Sequence, residues 1–236
     1  LPMASTTKIL SALLALEQDG IDEWFTVDTA AIRVEGSSMG LRVGDRVTLT
    51  VDASRRAAVA RNHSAVHLLD AALRDVLGTH IRQAGSYVDD KEARFDFTHF
   101  AAVTPEELAR VEMLVNEKIL DGIPVSTLET DVESAKKSGA IALFGEKYGN
   151  IVRVVKMGDF SAELCGGTHV DNTAKIGLFK ITMESSVAAG TRRITAVSGF
   201  GSYQRMIQEE TLISSAMKTL KAGTSADVLI KIAALT

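Results

Sequence analysis

The chain has 236 residues, and several features that would define a specialised class are scarce in it. There is one cysteine, there are three prolines, and aromatic residues make up 5%. A single thiol excludes a disulfide scaffold and fits a reducing compartment. The longest apolar stretch, Ile9 to Leu16, is far short of the ~20 residues that a bilayer demands. It follows Lys8, and no small-residue cleavage site follows it, so it makes a poor secretory leader too. The expectation is a cytoplasmic chain with no membrane partner. A net charge of −4 gives no broad cationic footprint, so a nucleic-acid reading must rest on a site rather than on bulk charge. What is present is ordinary: 46% apolar and 24% charged residues, enough to bury a core against the entropy of ordering. The length suits one domain with an appendage, or two small domains. The chain begins Leu1-Pro2-Met3 and stops in a helical pattern at Thr236, as a cut through a longer sequence would.

The apolar spacing changes period several times. Residues 4–17 read as a helix, with Ser5 or Thr6 as N-cap and Ile9, Leu10, Leu13, Leu14 and Leu16 on one face. Phe25–Val27, Ala31–Val34 and the alternating run Val43–Val51 read as strands. Residues 54–77 are helical, closed by Gly78. Tyr87-Val88 and Arg94–Phe97 read as paired strands turning at Asp89-Asp90. Thr104-Pro105-Glu106-Glu107 opens a helix to about Leu120. Strands follow at 125–130, 151–157, 176–183 and 193–197, with a short helix at 131–138. From Tyr203 the pattern is helical again, and its apolar residues suit a helical hairpin or a dimer seam. The mixed order argues an α+β fold.

His63 and His67 stand at i, i+4 in the helix 54–77, which puts both imidazoles on one face. The single cysteine lies in Leu164-Cys165-Gly166-Gly167-Thr168-His169, where two glycines let Cys165 and His169 turn to one point. Three imidazoles and one thiolate suit tetrahedral Zn2+, structural or catalytic. Taken separately, each pair is also compatible with a buried histidine or an inert cysteine. His80 and His99 read as ordinary surface or half-buried histidines.

Arg61-Asn62-His63-Ser64-Ala65-Val66-His67-Leu68-Leu69 resembles the HSATHLL motif of the alanyl-tRNA synthetase editing domain. So does Met157–His169, and in order between and after them Gln83–Ser86, Arg94–Phe97, Gly139–Tyr148 and Ala189–Ile194. The resemblance covers roughly residues 42–236. It implies a deacylase that clears Ser-tRNA(Ala) and Gly-tRNA(Ala), with tRNA(Ala) and aminoacyl-tRNA as partners. It implies zinc on His63, His67, Cys165 and His169, and Gln83 near the substrate. The family normally has Thr where this chain has Val66, and its hydroxyl is thought to meet the serine side chain. Valine keeps the shape but offers no hydrogen bond, which implies weaker discrimination of serine from alanine. Arg192 and Arg193 are candidate tRNA contacts, as are Arg55-Arg56 and Lys136-Lys137. Nothing before residue 42 resembles a class II synthetase core, so ligation is not expected.

Pro2 to Glu17 instead resembles the Ser-x-x-Lys segment of D-Ala-D-Ala carboxypeptidases, which would make Ser5 a nucleophile and Lys8 its base. The Ser-x-Asn and Lys-Thr-Gly motifs of that family are missing, so a vestigial, inactive segment is expected. The two resemblances meet near Val43–Leu49, and the chain reads as a chimera joined there. The expected organisation has four parts. Residues 1–41 form a peptidase-like fragment, and 42–53 supply a partial β-barrel strand. Residues 54–200 form a Thr/Ala-tRNA synthetase-type editing domain, with zinc between a helix and a Gly-rich loop. Residues 201–236 start a helical region that could support self-association. A tRNA-binding module with structural zinc, or a remnant of a serine-type carboxypeptidase, are the alternatives.

Overall fold

Two short strands, β1 (Phe25–Thr26) and β2 (Arg46–Val47), pair antiparallel with Phe25 opposite Val47. Both fall inside runs read as strands from the sequence. The computed structural model describes residues 25–26, 46–47, 51–137, 139–141 and 150–234. The expected helix 4–17, with Ser5 and Lys8, lies outside the described residues. The chain divides into two compact units, residues 1–52 and 53–236.

The axis of the second unit is α1 (Ala53–Leu77), which starts one residue before the expected position. Leu68, Leu69, Ala72 and Leu73 on this helix are fully buried. Their i, i+3, i+4 spacing makes one apolar stripe. A second helix, α2 (Pro105–Leu120), packs beside it through Val111, Val115 and Ile119. Thr104 and Glu107 cap α2 reciprocally, at 3.2 and 2.9 Å, as the Thr-Pro-x-Glu signature requires.

Beneath the helices lies an antiparallel sheet in the order β3-β4-β9-β8, formed by β3 (Gln83–Val88), β4 (Ala93–Thr98), β8 (Phe179–Ala188) and β9 (Thr191–Ser198). Alternation in β4 buries Ala93, Phe95 and Phe97, and β9 adds Ile194 and Ala196. Asn116 of α2 clamps the edge of β8: its side-chain N–H donates to the Phe179 carbonyl and its oxygen accepts the Phe179 N–H, both at 2.9 Å. A second antiparallel sheet, β5-β6-β7, comprises β5 (Val125–Asp131), β6 (Ile151–Met157) and β7 (Ser161–Leu164), with α3 (Val132–Lys137) after β5. Both sheets of this unit are antiparallel beside packed helices, which is the α+β arrangement expected.

Three boundaries differ from the sequence reading. The expected strand 176–183 is instead a 3-10 turn at Thr173–Ile176 followed by β8. Gly177, at φ 72°, breaks the run, and its Cβ position would lie 3.0 Å from the Gly199 Cα. The strand β7 was not anticipated, because four residues around a buried Glu163 give little β signal. The last helical stretch begins at Phe200 and forms two helices, α4 (Phe200–Leu220) and α5 (Ser225–Ala233). They pack as a hairpin, with the Lys231 ammonium on the carbonyls of Leu220 and Lys221. Met206, Leu212 and Ile213 of α4 stay exposed. No helix among the described residues is long and apolar enough to cross a membrane.

Phe97 is fully buried and stacks on Phe95 with ring centres 6.2 Å apart. Phe97→Ala is expected to destabilise the chain by about 3–5 kcal/mol, read as an earlier urea midpoint. An unchanged midpoint would mean the core is organised elsewhere.

Candidate metal centre

The helical spacing does what the sequence suggested: His63 and His67 project from one face of α1, one turn apart. Opposite them runs the loop after β7. Its Cys165 and His169 close the set, and the four ligand atoms all lie within 4.8 Å of one another. Cys165 Sγ is 3.4 Å from His63 Nε2 and 3.3 Å from His169 Nε2. Ligand atoms on a tetrahedral ion are separated by roughly 3.5 Å, so the spacing matches.

The loop is held by several ties. Cys165 N–H donates to the Arg153 carbonyl at 3.0 Å, and the Arg153 guanidinium donates to the Gly167 carbonyl at 2.7 Å. Val170 N–H donates to Ser64 Oγ at 3.1 Å, and the same hydroxyl lies 3.3 Å from His169 Nδ1. Ser64 is fully buried on α1, so it fixes both the loop and the ring orientation of His169. Gly167 is required for space. A Cβ there would meet His63 Cε1 at 2.0 Å.

His67 is the buried member, 4% exposed. Its Nδ1 lies 2.8 Å from Glu163 Oε2, a charge contact off the line of a hydrogen bond, and its Nε2 has no hydrogen-bond partner. A buried nitrogen with nothing to bind is costly, and among three other ligands it is the atom a metal would satisfy. The ligand set therefore fits a metal ion on grounds independent of its sequence pattern.

The electrostatics agree. Burial opposes a thiolate at Cys165, but the imidazoles of His169 and His63 outweigh it and draw its pKa down to about 3. Burial and the neighbouring cations lower His169 to about 4, although the Cys165 contact opposes them, which leaves a neutral ring able to ligate. At His67 burial opposes charge, but the Glu163 carboxylate prevails and raises its pKa to about 10. Metal binding must displace that proton. Behind Glu163 a second buried carboxylate, Asp70, is raised to about 6 by burial and by the Glu163 charge, with Arg74 pulling the other way at 2.6 Å.

Gln83, expected near a substrate, opens β3 opposite Phe97, half-buried, with no side-chain hydrogen bond to a described residue. Val66 is buried in the core, 5% exposed. Arg192 and Arg193 are already engaged. Arg192 forks onto Glu184 at 2.5 and 2.7 Å, and Arg193 onto Asp96 at 2.6 and 2.8 Å. These pairs tie β9 to its neighbours on either side, so neither guanidinium presents an open fork. Arg55 pairs with Asp90 at 3.2 Å. The side chain of Lys136 lies outside the described residues. His80 and His99 face one another at 3.0 Å and are not members of the ligand set. Ser64, Arg153 and Glu163 were missed. The signal available was a polar residue near a ligand for Ser64, beside His63, and Glu163, two before Cys165, and a lone cation in the apolar run Ile151–Val155 for Arg153.

Residues 152–195 match the family described as "Threonyl and Alanyl tRNA synthetase second additional domain". The chain is 57% identical over 183 residues to the alanine–tRNA ligase of Pelotomaculum thermopropionicum, covering 78% of this chain and 21% of that protein. It is 55% identical over 183 residues to that of Bacillus velezensis, again 78% and 21%. It is 51% identical over 211 residues to alanine–tRNA ligase 1 of Lachnoclostridium phytofermentans, 86% and 24%. These findings support an alanyl-tRNA synthetase editing-domain region. They do not support the carboxypeptidase resemblance of residues 1–41. The chain spans 21–24% of the length of these relatives.

Gly167→Ala is expected to weaken binding of a divalent metal by about 10–100-fold, measured by competition with a chromophoric chelator. Affinity equal to wild type would mean His63 is not where the loop needs it. With one thiol in the chain, alkylation reports Cys165 alone. The depressed pKa keeps the thiolate populated as pH falls from 9.0 towards about 3. The metal-free chain should therefore show an alkylation rate nearly level between pH 8 and pH 5, where an ordinary thiol loses about tenfold per unit. An ordinary profile would refute the thiolate.

Proposed function

We propose that the chain carries an aminoacyl-tRNA deacylase that hydrolyses Ser-tRNA(Ala) and Gly-tRNA(Ala). The observation that supports it best is the convergence of His63, His67, Cys165 and His169, with an unpartnered buried nitrogen, in a region related to alanine–tRNA ligases. The need for such a site is physical. A pocket for alanine discriminates weakly against a substrate differing by one methyl or hydroxyl group, worth a few kcal/mol at most, so a second hydrolytic site corrects the error.

One thiolate and three imidazoles form a zinc donor set, and His63, His67, Cys165 and His169 would hold the ion. The chemistry such an ion supplies is Lewis-acid polarisation of an ester carbonyl or of a water. The chain's own residues organise the rest. Glu163 orients His67 and compensates charge behind it. Ser64 holds His169 in the orientation that directs Nε2 to the centre. The free amide of Gln83 is available to position the aminoacyl group. Val66 offers methyl groups where a hydroxyl would recognise serine. Water cleaves the ester to a free amino acid and the terminal ribose hydroxyl of the tRNA. Residues 54–200 form the editing domain on this reading, with tRNA(Ala) its partner, zinc its cofactor and the cytoplasm its compartment.

Deacylation of Ser-, Gly- and Ala-tRNA(Ala) by the zinc-loaded chain tests the proposal. Ser- and Gly-tRNA should be hydrolysed well ahead of Ala-tRNA. Cys165→Ala should abolish both turnover and zinc retention. Gln83→Ala should keep zinc and lose roughly tenfold in rate, the worth of one hydrogen bond to a polarised group. Zinc and tRNA binding without hydrolysis would instead identify a binding module with a structural ion.

A further inference from the structure

The two antiparallel sheets of the second unit contain four arginines. Three of them hold a carboxylate: Arg94 meets Glu92 at 3.3 Å, Arg192 meets Glu184 at 2.5 Å and Arg193 meets Asp96 at 2.6 Å. Arg153 is the exception. Glu129 stands opposite it across the β5–β6 pair, yet the two form no ion pair, and no described carboxylate holds the Arg153 guanidinium. The half-buried side chain turns instead to the ligand loop, where Nη1 donates to the Gly167 carbonyl at 2.7 Å. That single bond leaves the other N–H groups of a five-donor fork without a described partner.

This cation stands at the edge of the metal centre. The residue it grips, Gly167, lies against His63, and the Gly167 N–H is 3.4 Å from Cys165 Sγ. The Arg153 backbone is tied to the same loop, since its carbonyl accepts the Cys165 N–H at 3.0 Å. The nearest carboxylate of the cluster, Glu163, is engaged by His67 at 2.8 Å. A fixed cation with no counter-ion, beside a donor set built for a second cation, makes a local excess of positive charge that attracts an anion. The adjoining residue adds an independent observation. Glycine is required at 167 for space, but nothing within the chain requires it at 166. The Gly166 φ lies outside the left-handed region, and a Cβ there would meet nothing within 4 Å. Gly166 is exposed, and its N–H donates to no described residue. The loop is therefore bare beside the ligands, with room and a free amide for a group approaching them.

We propose that Arg153 is a substrate-binding residue that seats the 5′ phosphate of the terminal nucleotide of aminoacyl-tRNA. A guanidinium with a free edge suits an oxyanion that offers two acceptor oxygens. The substrate carries such a group one sugar away from the reacting bond, on the same ribose that bears the aminoacyl ester. Holding that phosphate at Arg153 brings the ester to the four ligands, and the bare Gly166 lets the ribose pass over the loop. The same cation repels the ammonium of the aminoacyl group and so turns the amino acid away from itself. The choice of a nucleotide phosphate among anions rests on the function proposed above.

The test compares adenosine 5′-monophosphate with adenosine as ligands of the zinc-loaded chain, by isothermal titration, beside the kinetics of Ser-tRNA(Ala) hydrolysis and the zinc content of each variant. The wild type should bind the monophosphate about tenfold more tightly than the nucleoside, the worth of a hydrogen bond to a charged group. Arg153→Gln keeps a donor for the Gly167 carbonyl but no charge. It should retain zinc, bind both ligands alike and raise KM about tenfold with kcat held, the pattern of lost uniform binding. Arg153→Lys should restore part of the preference. Gly166→Leu should retain zinc and weaken both ligands. A wild type that binds the two ligands alike would overturn the site without any variant. A preference unchanged in zinc-loaded Arg153→Gln would also overturn it, because the phosphate would then sit on the metal itself. Zinc loss in Arg153→Gln, with no preference in Arg153→Lys, would reduce Arg153 to a tie of the loop. Arg153-dependent binding of the monophosphate in a chain that fails to deacylate would keep this site and reject the editing reading. Deacylation by a wild type indifferent to the phosphate would keep that reading and reject this site.

Discussion

One helix carries both the core and a row of buried polar side chains, and that combination constrains everything around it. Asn62, Ser64, His67 and Asp70 of α1 are each less than 5% exposed. At that depth each polar atom left without a partner is costly. Asn62 donates to the Asp89 carbonyl at 2.9 Å and accepts from Ser198 at 2.6 Å, which fixes the β3–β4 turn and the end of β9. Ser64 fixes the loop of Cys165 and His169. His67 places Glu163 and so β7. Asp70 is held by Arg74 one turn along. The apolar stripe stabilises the packing, and the polar row determines which packing is permitted.

The electrostatics of the ligand cluster follow from the same arrangement. Glu163 is buried beside an imidazole, and its charge is compensated only if that imidazole is protonated or bound to a cation. The cysteine thiolate sits among three imidazoles for the same reason. Without a metal the cluster holds its charge as thiolate, carboxylate and imidazolium. With one, the cation takes over the role of the proton at His67.

The ligands were legible in the sequence because their spacing is local: i, i+4 on a helix and i, i+4 across two glycines. That the two pairs meet is a long-range fact, and the resemblance of the surrounding motifs supplied it. Elements with strong punctuation were placed closely, such as α2 with its capping box. What was not legible depends on tertiary context. The strand β7 is set by pairing with β6 rather than by its own composition. The start of β8 shifted because Gly177 and Gly199 approach one another, a contact with no local sequence signal. The pairs Arg192–Glu184 and Arg193–Asp96 could not be foreseen for these two candidate tRNA contacts, because cross-strand register cannot be seen before the strands are aligned.

His63 and Cys165 are 102 positions apart along the chain, yet their ligand atoms lie 3.4 Å from one another. An ion joining them would act as a covalent-like cross-link around a long loop. The denatured ensemble would lose closure entropy worth about 5 kcal/mol by the same reckoning used for disulfides. The loop encloses β3, β4, α2, β5, α3, β6 and β7, so a chain still holding its ion on unfolding would keep these segments tethered. Refolding would then begin from a compact ring rather than an open coil. In a protein with a single cysteine, an ion held by these four side chains would occupy the topological position that a disulfide holds in secreted domains of similar size.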